Sequence, residues 1–297
     1  MSDISPLIQK KLQEIHNIIY SRIYQGMIDV FLCGGADSQV HVRDMVRKHV
    51  SKYKFIRTLY PEELFIDYLN RNKDSNMLEL ENFLADNCDC ICIICESPGS
   101  LVELGAFSNH AKISKKIIVA IEEKYKRKKS FIILGPVKLI KMNNSKDVIY
   151  YSKENINELN ETLIKTLFNK LNKGGFQANK NLNTFIGLYY FIPLLLYFFT
   201  SISSENLMSY LKYLYNIYNY DIDKLEIYFN MSLKLLYKDK LIESSVQEGK
   251  RTYKLTNNGY KYLNEKILKT LNINDKTKLY DYIRFGIMKD KYYHCSS

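Results

Sequence analysis

The sequence has one cysteine-rich run with no second grouping of cysteine or histidine to match it, no signal peptide and no internal repeat. Of six cysteines, Cys88, Cys90, Cys92 and Cys95 crowd a single strand-like stretch. A zinc site needs ligands converging from a second cluster, so no metal is expected. Cys92-x-x-Cys95 ends a strand, where a redox motif would open a helix, and these thiols read as reduced core residues. Without a leader, the protein is expected in the cytoplasm.

Charge is missing from one long stretch. Phe185 to Ile202, FIGLYYFIPLLLYFFTSI, carries none over eighteen residues, the length at which a membrane span is considered. Pro193 at its centre and its many aromatics argue against a span, as does the result that the two halves would lie on opposite sides of the bilayer. The segment is expected to be a buried helix or a partner-binding surface.

What is present suits a folded protein. The 297 residues are 46% hydrophobic and 25% charged, enough for two ordinary domains. The net charge of +11 is uneven: residues 151–297 carry 21 Lys+Arg against 14 Asp+Glu, and so hold +7 of it. A basic excess attracts polyanions, although lysine-rich compositions also produce it.

Along the chain, Ser5–Tyr24 has helical periodicity behind a Ser-Pro start. Residues 28–33 form an apolar run closed by Gly34-Gly35 and followed by an amphipathic stretch to about Ser51. The alternation continues with a strand near Lys54–Thr58, helices near Pro61–Leu69 and Asn76–Asp86, and a strand at Cys88–Cys95. A helix from Leu101, a strand at Lys116–Ile121 and another at Phe131–Leu134 follow. This pattern predicts an α/β domain, a doubly wound parallel sheet covered on both faces. A helix over Glu154–Asn172 and a Lys-Gly-Gly and Asn-rich linker put the boundary near 175, giving domains 1–175 and 176–297.

In such sheets ligands gather outside the carboxyl ends of the strands. The first candidate loop there holds Gly34, Gly35 and Asp37, where glycine lets backbone approach a ligand. The second is Glu96-Ser97-Pro98-Gly99-Ser100-Leu101-Val102-Glu103-Leu104-Gly105-Ala106-Phe107. A third candidate is Glu81, which shares a helix face with Met77, Leu80 and Leu84 and so needs a partner or a task. Ser97, Gly99, Ser100 and Asn109 complete the candidate ligand contacts; a capping or surface role would explain such polar residues equally well.

The second loop resembles the nucleoside 2-deoxyribosyltransferase family, whose members share a strand, a small-residue loop and a helix bearing Glu-Leu-Gly-x-Ala or a close variant. The likeness spans about residues 27–122 and is strongest at 88–107. It implies that Glu103 is the nucleophile, where a carboxylate would stabilise or trap the oxocarbenium-like sugar formed as a C1′–N bond breaks. It also implies Glu81 as an acidic residue that binds or protonates the base, and Glu96 is the further candidate for assisting the base. The family has an aspartate shortly before the nucleophile; here Glu96 and Ser97 stand there, which argues against ordinary base exchange.

The second half resembles a winged helix-turn-helix, mainly α. Its expected parts are a first helix at Ser204–Asn216, a cap at Asp221, and a recognition helix at Ile222–Tyr237 with Ile222, Leu225, Phe229, Leu233 and Leu236 on the core face. Wing strands at 241–245 and 252–255 and a last helix opened by Thr256 follow. Lys224, Tyr228, Asn230, Met231 and Lys234 would form the outer face, and Lys250 and Arg251 the wing tip, suited to phosphate. The combination is similar to the effectors of retrons. That implies an anti-phage toxin held in check by a reverse transcriptase and its branched RNA–DNA (msDNA), with room for a higher-order homo- or hetero-oligomer. The implied substrate is NAD or another nucleotide, with no bound cofactor. The competing reading is a nucleotide-sensing winged-helix transcription regulator without turnover.

Overall fold

Short runs rich in isoleucine, valine and cysteine make the strands of a parallel sheet: β1 (Ile28–Cys33), β2 (Ile56–Leu59), β3 (Cys90–Ile94), β4 (Ile117–Glu122) and β5 (Val148–Tyr151). The computed structural model describes residues 4–26, 28–35, 41–53, 56–60, 83, 86–172, 180–247 and 249–294. Its helices are α1 (Pro6–Glu14), α2 (Val42–Val50), α3 (Pro98–Ser108), α4 (Lys138–Asn143), α5 (Ile156–Asn172), α6 (Phe185–Phe199), α7 (Ser204–Ile217), α8 (Leu225–Lys238), α9 (Asn257–Lys261) and α10 (Lys276–His294). The chain divides into two units, Gly26–Ala178 and Met1–Gln25 with Asn179–Ser297.

In the first unit every strand pair is parallel, in the order β2-β1-β3-β4-β5. β1, β3 and β4 are buried along their whole length, as strands covered on both faces must be. One face is sealed by α2 and α5: Val30, Leu32, Cys92, Ile94, Ala120 and Tyr151 meet Val42, Val46, Leu159 and Leu163. The other receives α3 and α4, which pack on β3 and β4, where right-handed crossovers put them. The unit is thus of the Rossmann-like α/β class. The strand order reverses between β1 and β3, and this places the ligand crevice at their carboxyl ends.

Three local expectations change. Phe131–Leu134, read as a strand, is helical and runs into α4. Phe131 and Leu134 look outward, Phe131 being 87% exposed, while Ile132 and Ile133 are half-buried, so the apolar run did not mark a buried strand. β5 supplies the fifth strand instead, Ala120 pairing with Ile149 and Glu122 with Tyr151. α3 starts at Pro98, three residues before Leu101, because Ser97 and Ser100 close a capping box around its first turn. The helices expected at Pro61–Leu69 and Asn76–Asp86 lie almost wholly outside the described residues.

The second unit contains residues 1–25, which the expected division at 175 had grouped with the sheet. α1 lies beside α7 and α10, and the Ser5 hydroxyl donates to Asp290 Oδ1. Lys11 is buried: its Nζ sits 2.8 Å from Glu14 Oε2 and 3.3 Å from the centre of the Tyr282 ring. The charge-free segment forms α6, buried from end to end. Its fifteen residues span about 22 Å, short of a bilayer core of about 30 Å. Among the described residues no helix is long and apolar enough to cross a membrane.

Gly187, at the start of α6, is required by close approach. A Cβ there would lie 1.9 Å from the Asn181 carbonyl oxygen, while Tyr20 Oη donates to the Gly187 carbonyl at 2.9 Å. Gly187→Ala should therefore cost about 2 kcal/mol by overpacking, read as a lowered midpoint in chemical denaturation of the full chain.

α7 and α8 lie in sequence between the first strand and the last two of an antiparallel sheet formed by β6 (Ser201–Ser203), β7 (Ile242–Gln247) and β8 (Lys250–Leu255), in the order β6-β8-β7. Gly249, at φ +74°, turns the β7–β8 hairpin. The small strand β6 was not expected. α8 also differs from its expected form: it begins at Leu225, Ile222 is 42% exposed, and Tyr228 and Met231 are buried. Asp221 does not cap it, since Oδ1 of Asp221 accepts from the Asp223 N–H at 3.0 Å.

Candidate active site

The carboxyl ends of β1 and β3 are joined by one carboxylate. Glu96 Oε1 accepts from the N–H groups of Gly35 at 3.2 Å and Arg43 at 3.0 Å, and Oε2 from that of Val42 at 2.7 Å. His41 Nδ1 stands 3.7 Å from Oε2. Glu96 thus satisfies the open donors at the start of α2 and ties them to the glycine turn after β1. The turn can lie this close only with glycine. A Cβ on Gly34 would sit 2.8 Å from Arg43 Cβ and 2.9 Å from Glu96 Oε1, and one on Gly35 would sit 2.3 Å from His41 Nδ1.

Ser97 and Ser100 are likewise committed to structure. Ser97 Oγ accepts from the Ser100 N–H at 3.2 Å, and Ser100 Oγ accepts from the Ser97 N–H at 3.1 Å. Their capping box fixes α3, whose second turn carries Glu103. Glu103 is half-buried, its Oε2 shielded from solvent. The helix dipole acts mainly within the first turn, so complementing it does not explain a carboxylate at this depth. Cys95 lies close by: burial first, and then the Glu103 carboxylate, push its thiol up to about 12. Burial alone accounts for most of the rise of the Cys90 thiol, also to about 12. Both stay protonated at neutral pH and are poor nucleophiles.

Gly34, Gly35, Glu96, Ser97, Ser100 and Glu103 therefore gather at the carboxyl edge. Gly99 is there too, exposed, with Ser97 Oγ 3.9 Å from a hypothetical Cβ. Asn109 is not. It follows the last turn of α3 and is exposed, about 9 Å along the axis from Glu103. Glu81 and Asp37 lie outside the described residues.

The edge also holds groups the sequence reading passed over. Glu122 closes β4 with Lys124 Nζ at 2.5 Å and Lys153 Nζ at 3.2 Å; burial would raise its carboxyl, but the two lysines outweigh it and hold the group below its ordinary range. Tyr151 closes β5, and burial pushes its phenol up, with Glu96, Glu122 and Cys95 adding to the rise. The only sequence signal for Tyr151 was the short run Val148-Ile149-Tyr150-Tyr151.

Residues 39–244 match the model of the STM3845 retron effector protein family, a stretch that contains both Glu96 and Glu103. The chain belongs to that family. Two relatives of this retron effector come from Escherichia coli. One, described as a retron Ec86 putative ribosyltransferase/DNA-binding protein, is 37% identical over 161 residues, 52% of each chain. The other, a retron Ec73 putative ribosyltransferase/DNA-binding protein, is 31% identical over 119 residues, 37% of each chain. The effector thus spans about half the length of the first relative it matches and 37% of the second.

The effector's candidate nucleic-acid residues fall in its second unit and are all exposed. Lys224 immediately precedes α8, and Lys234 is on its outer side. Lys250 and Arg251 begin β8 beside the hairpin turn. Lys250 Nζ pairs with Glu205 Oε2 at 2.9 Å, an exposed pair of small energetic weight that a phosphate can replace.

Proposed function

We propose that this retron effector is an N-glycosidase that cleaves the bond between sugar and base in NAD or another nucleotide, with Glu103 as nucleophile or oxocarbenium stabiliser. The observation that carries the reading is the position of Glu103: a half-buried carboxylate, beyond the reach of the helix dipole, at the carboxyl edge of a parallel sheet. The Glu-Leu-Gly-Ala sequence around it resembles the nucleoside 2-deoxyribosyltransferases, and the relatives' description as putative ribosyltransferases agrees. Glu96, first considered for work on the base, is better read as the clamp that shapes the glycine turn.

The second unit is read as a winged helix-turn-helix: α7 and α8 as the helix pair, β7 and β8 as the wing. The relatives' description as DNA-binding proteins supports the placement of polyanion contacts at Lys224, Lys234, Lys250 and Arg251. In this account the reverse transcriptase and branched RNA–DNA of the retron hold a toxic activity in check until phage infection releases it. The direct test is incubation of the purified full chain with a panel of nucleotides and NAD, following free base by chromatography. Base release supports the N-glycosidase; ligand binding without turnover would instead make the protein a nucleotide-sensing regulator.

A further inference from the structure

Tyr151 is 3% exposed, and its hydroxyl has no hydrogen-bond partner among the described residues. A buried hydroxyl left in that state costs about 1–3 kcal/mol, a cost that a ligand hydrogen bond would offset. Its place in the sheet narrows the choice of ligand atom. Tyr151 ends β5 in register with Glu122 and packs in the core beneath α2 and α5. Glu103 stands on α3, which crosses the opposite face. In a displacement at C1′ the nucleophile and the departing base stand on opposite sides of the sugar. Glu96, with both oxygens accepting backbone N–H bonds, is engaged as an acceptor and is poorly placed to give the base a proton.

The geometry points to the Tyr151 hydroxyl as the hydrogen-bond donor to the departing base, and hence to a nucleotide whose purine or pyrimidine leaves as an anion. This rests on the N-glycosidase reading above. The nicotinamide of NAD is the contrasting case, because its ring nitrogen is cationic and departs neutral without a donor. As the Glu103 carboxylate bonds to C1′, the C1′–N bond breaks and its electron pair goes to the base nitrogen, which Tyr151 hydrogen-bonds. Water protonates the base, and the hydroxide so formed attacks C1′, releasing the sugar with the new oxygen and returning Glu103 to a carboxylate. The sum is nucleotide plus water giving sugar phosphate plus free base. Burial holds the phenol protonated at neutral pH, as a donor must be.

The test compares the full-length wild type, Tyr151→Phe and Glu103→Gln on AMP, dAMP and NAD, reading kcat by base release and the thermal midpoint in parallel. For Tyr151→Phe, kcat on the purine nucleotides should fall about 100-fold and change little on NAD. Its midpoint should stay the same or rise, since an unpartnered hydroxyl has been removed. Equal kcat values for wild type and Tyr151→Phe, or equal losses on both kinds of substrate, would overturn the inference while leaving the glycosidase standing. Wild-type turnover of NAD alone would overturn the substrate class. No base release by wild type from these three or from a panel of the other common purine and pyrimidine nucleotides would remove the glycosidase reading itself, and the inference with it.

Discussion

Glu103→Gln should reduce base release by about 10³-fold or more while leaving stability within about 0.5 kcal/mol of wild type. The substitution keeps the shape of the side chain, replaces one acceptor oxygen by a donor NH2, and removes the negative charge that the proposed reading assigns to stabilising the sugar cation. The frame of α3 has its own supports: the helix is closed by Ser97 and Ser100 and anchored by the buried Leu104 and Phe107. Loss of activity with an unchanged denaturation midpoint is the signature of a reacting group. A matching loss of stability would instead mark Glu103 as a structural carboxylate.

Glu96→Ala should do the reverse and destabilise the protein by about 3 kcal/mol. Three backbone N–H groups lose a charged acceptor, each such bond being worth roughly 1.5–3 kcal/mol before water and relaxation recover part of it. For a unit of this size the thermal midpoint should drop by roughly 6–12 °C. Activity would fall as a consequence, because the glycine turn loses its anchor. Glu96→Gln retains Oε1 toward Gly35 and Arg43 and loses the acceptor for Val42, so the cost should shrink to about 1–2 kcal/mol. A Glu96→Ala protein of full stability that has lost turnover would show Glu96 acting on substrate and contradict its assignment as a clamp.

Much of this was legible in the sequence because the relevant signals are local. Strands buried on both faces read as largely apolar runs; β3 does so without a break, β1 and β4 with one acidic residue each, Asp29 and Glu122. Gly34-Gly35 marks a turn and the residues from Leu101 mark a helix, but the Ser97–Ser100 box that starts this helix at Pro98 was read only as polar contacts. Other features depend on partners far away in sequence. The acceptor role of Glu96 appears only when Gly35 and Val42, more than fifty residues earlier, are brought to it. Tyr151 belongs to a four-residue edge strand whose identity comes from pairing with β4. Phe131–Leu134 carried the apolar signal of a strand and became an exposed helical face, since hydrophobicity alone does not say which side is covered. Residues 1–25 joined the second unit through Ser5–Asp290 and the burial of Lys11 beside Gly286, pairings nearly the whole chain apart.

The most direct test of the central claim is nucleotide profiling by mass spectrometry in cells expressing wild type or Glu103→Gln, with and without the neighbouring retron genes. The account predicts loss of one nucleotide pool and appearance of its free base in the wild type alone, suppressed when the reverse transcriptase and branched RNA–DNA are present. Unchanged nucleotide pools in cells that the wild-type protein is killing would contradict it.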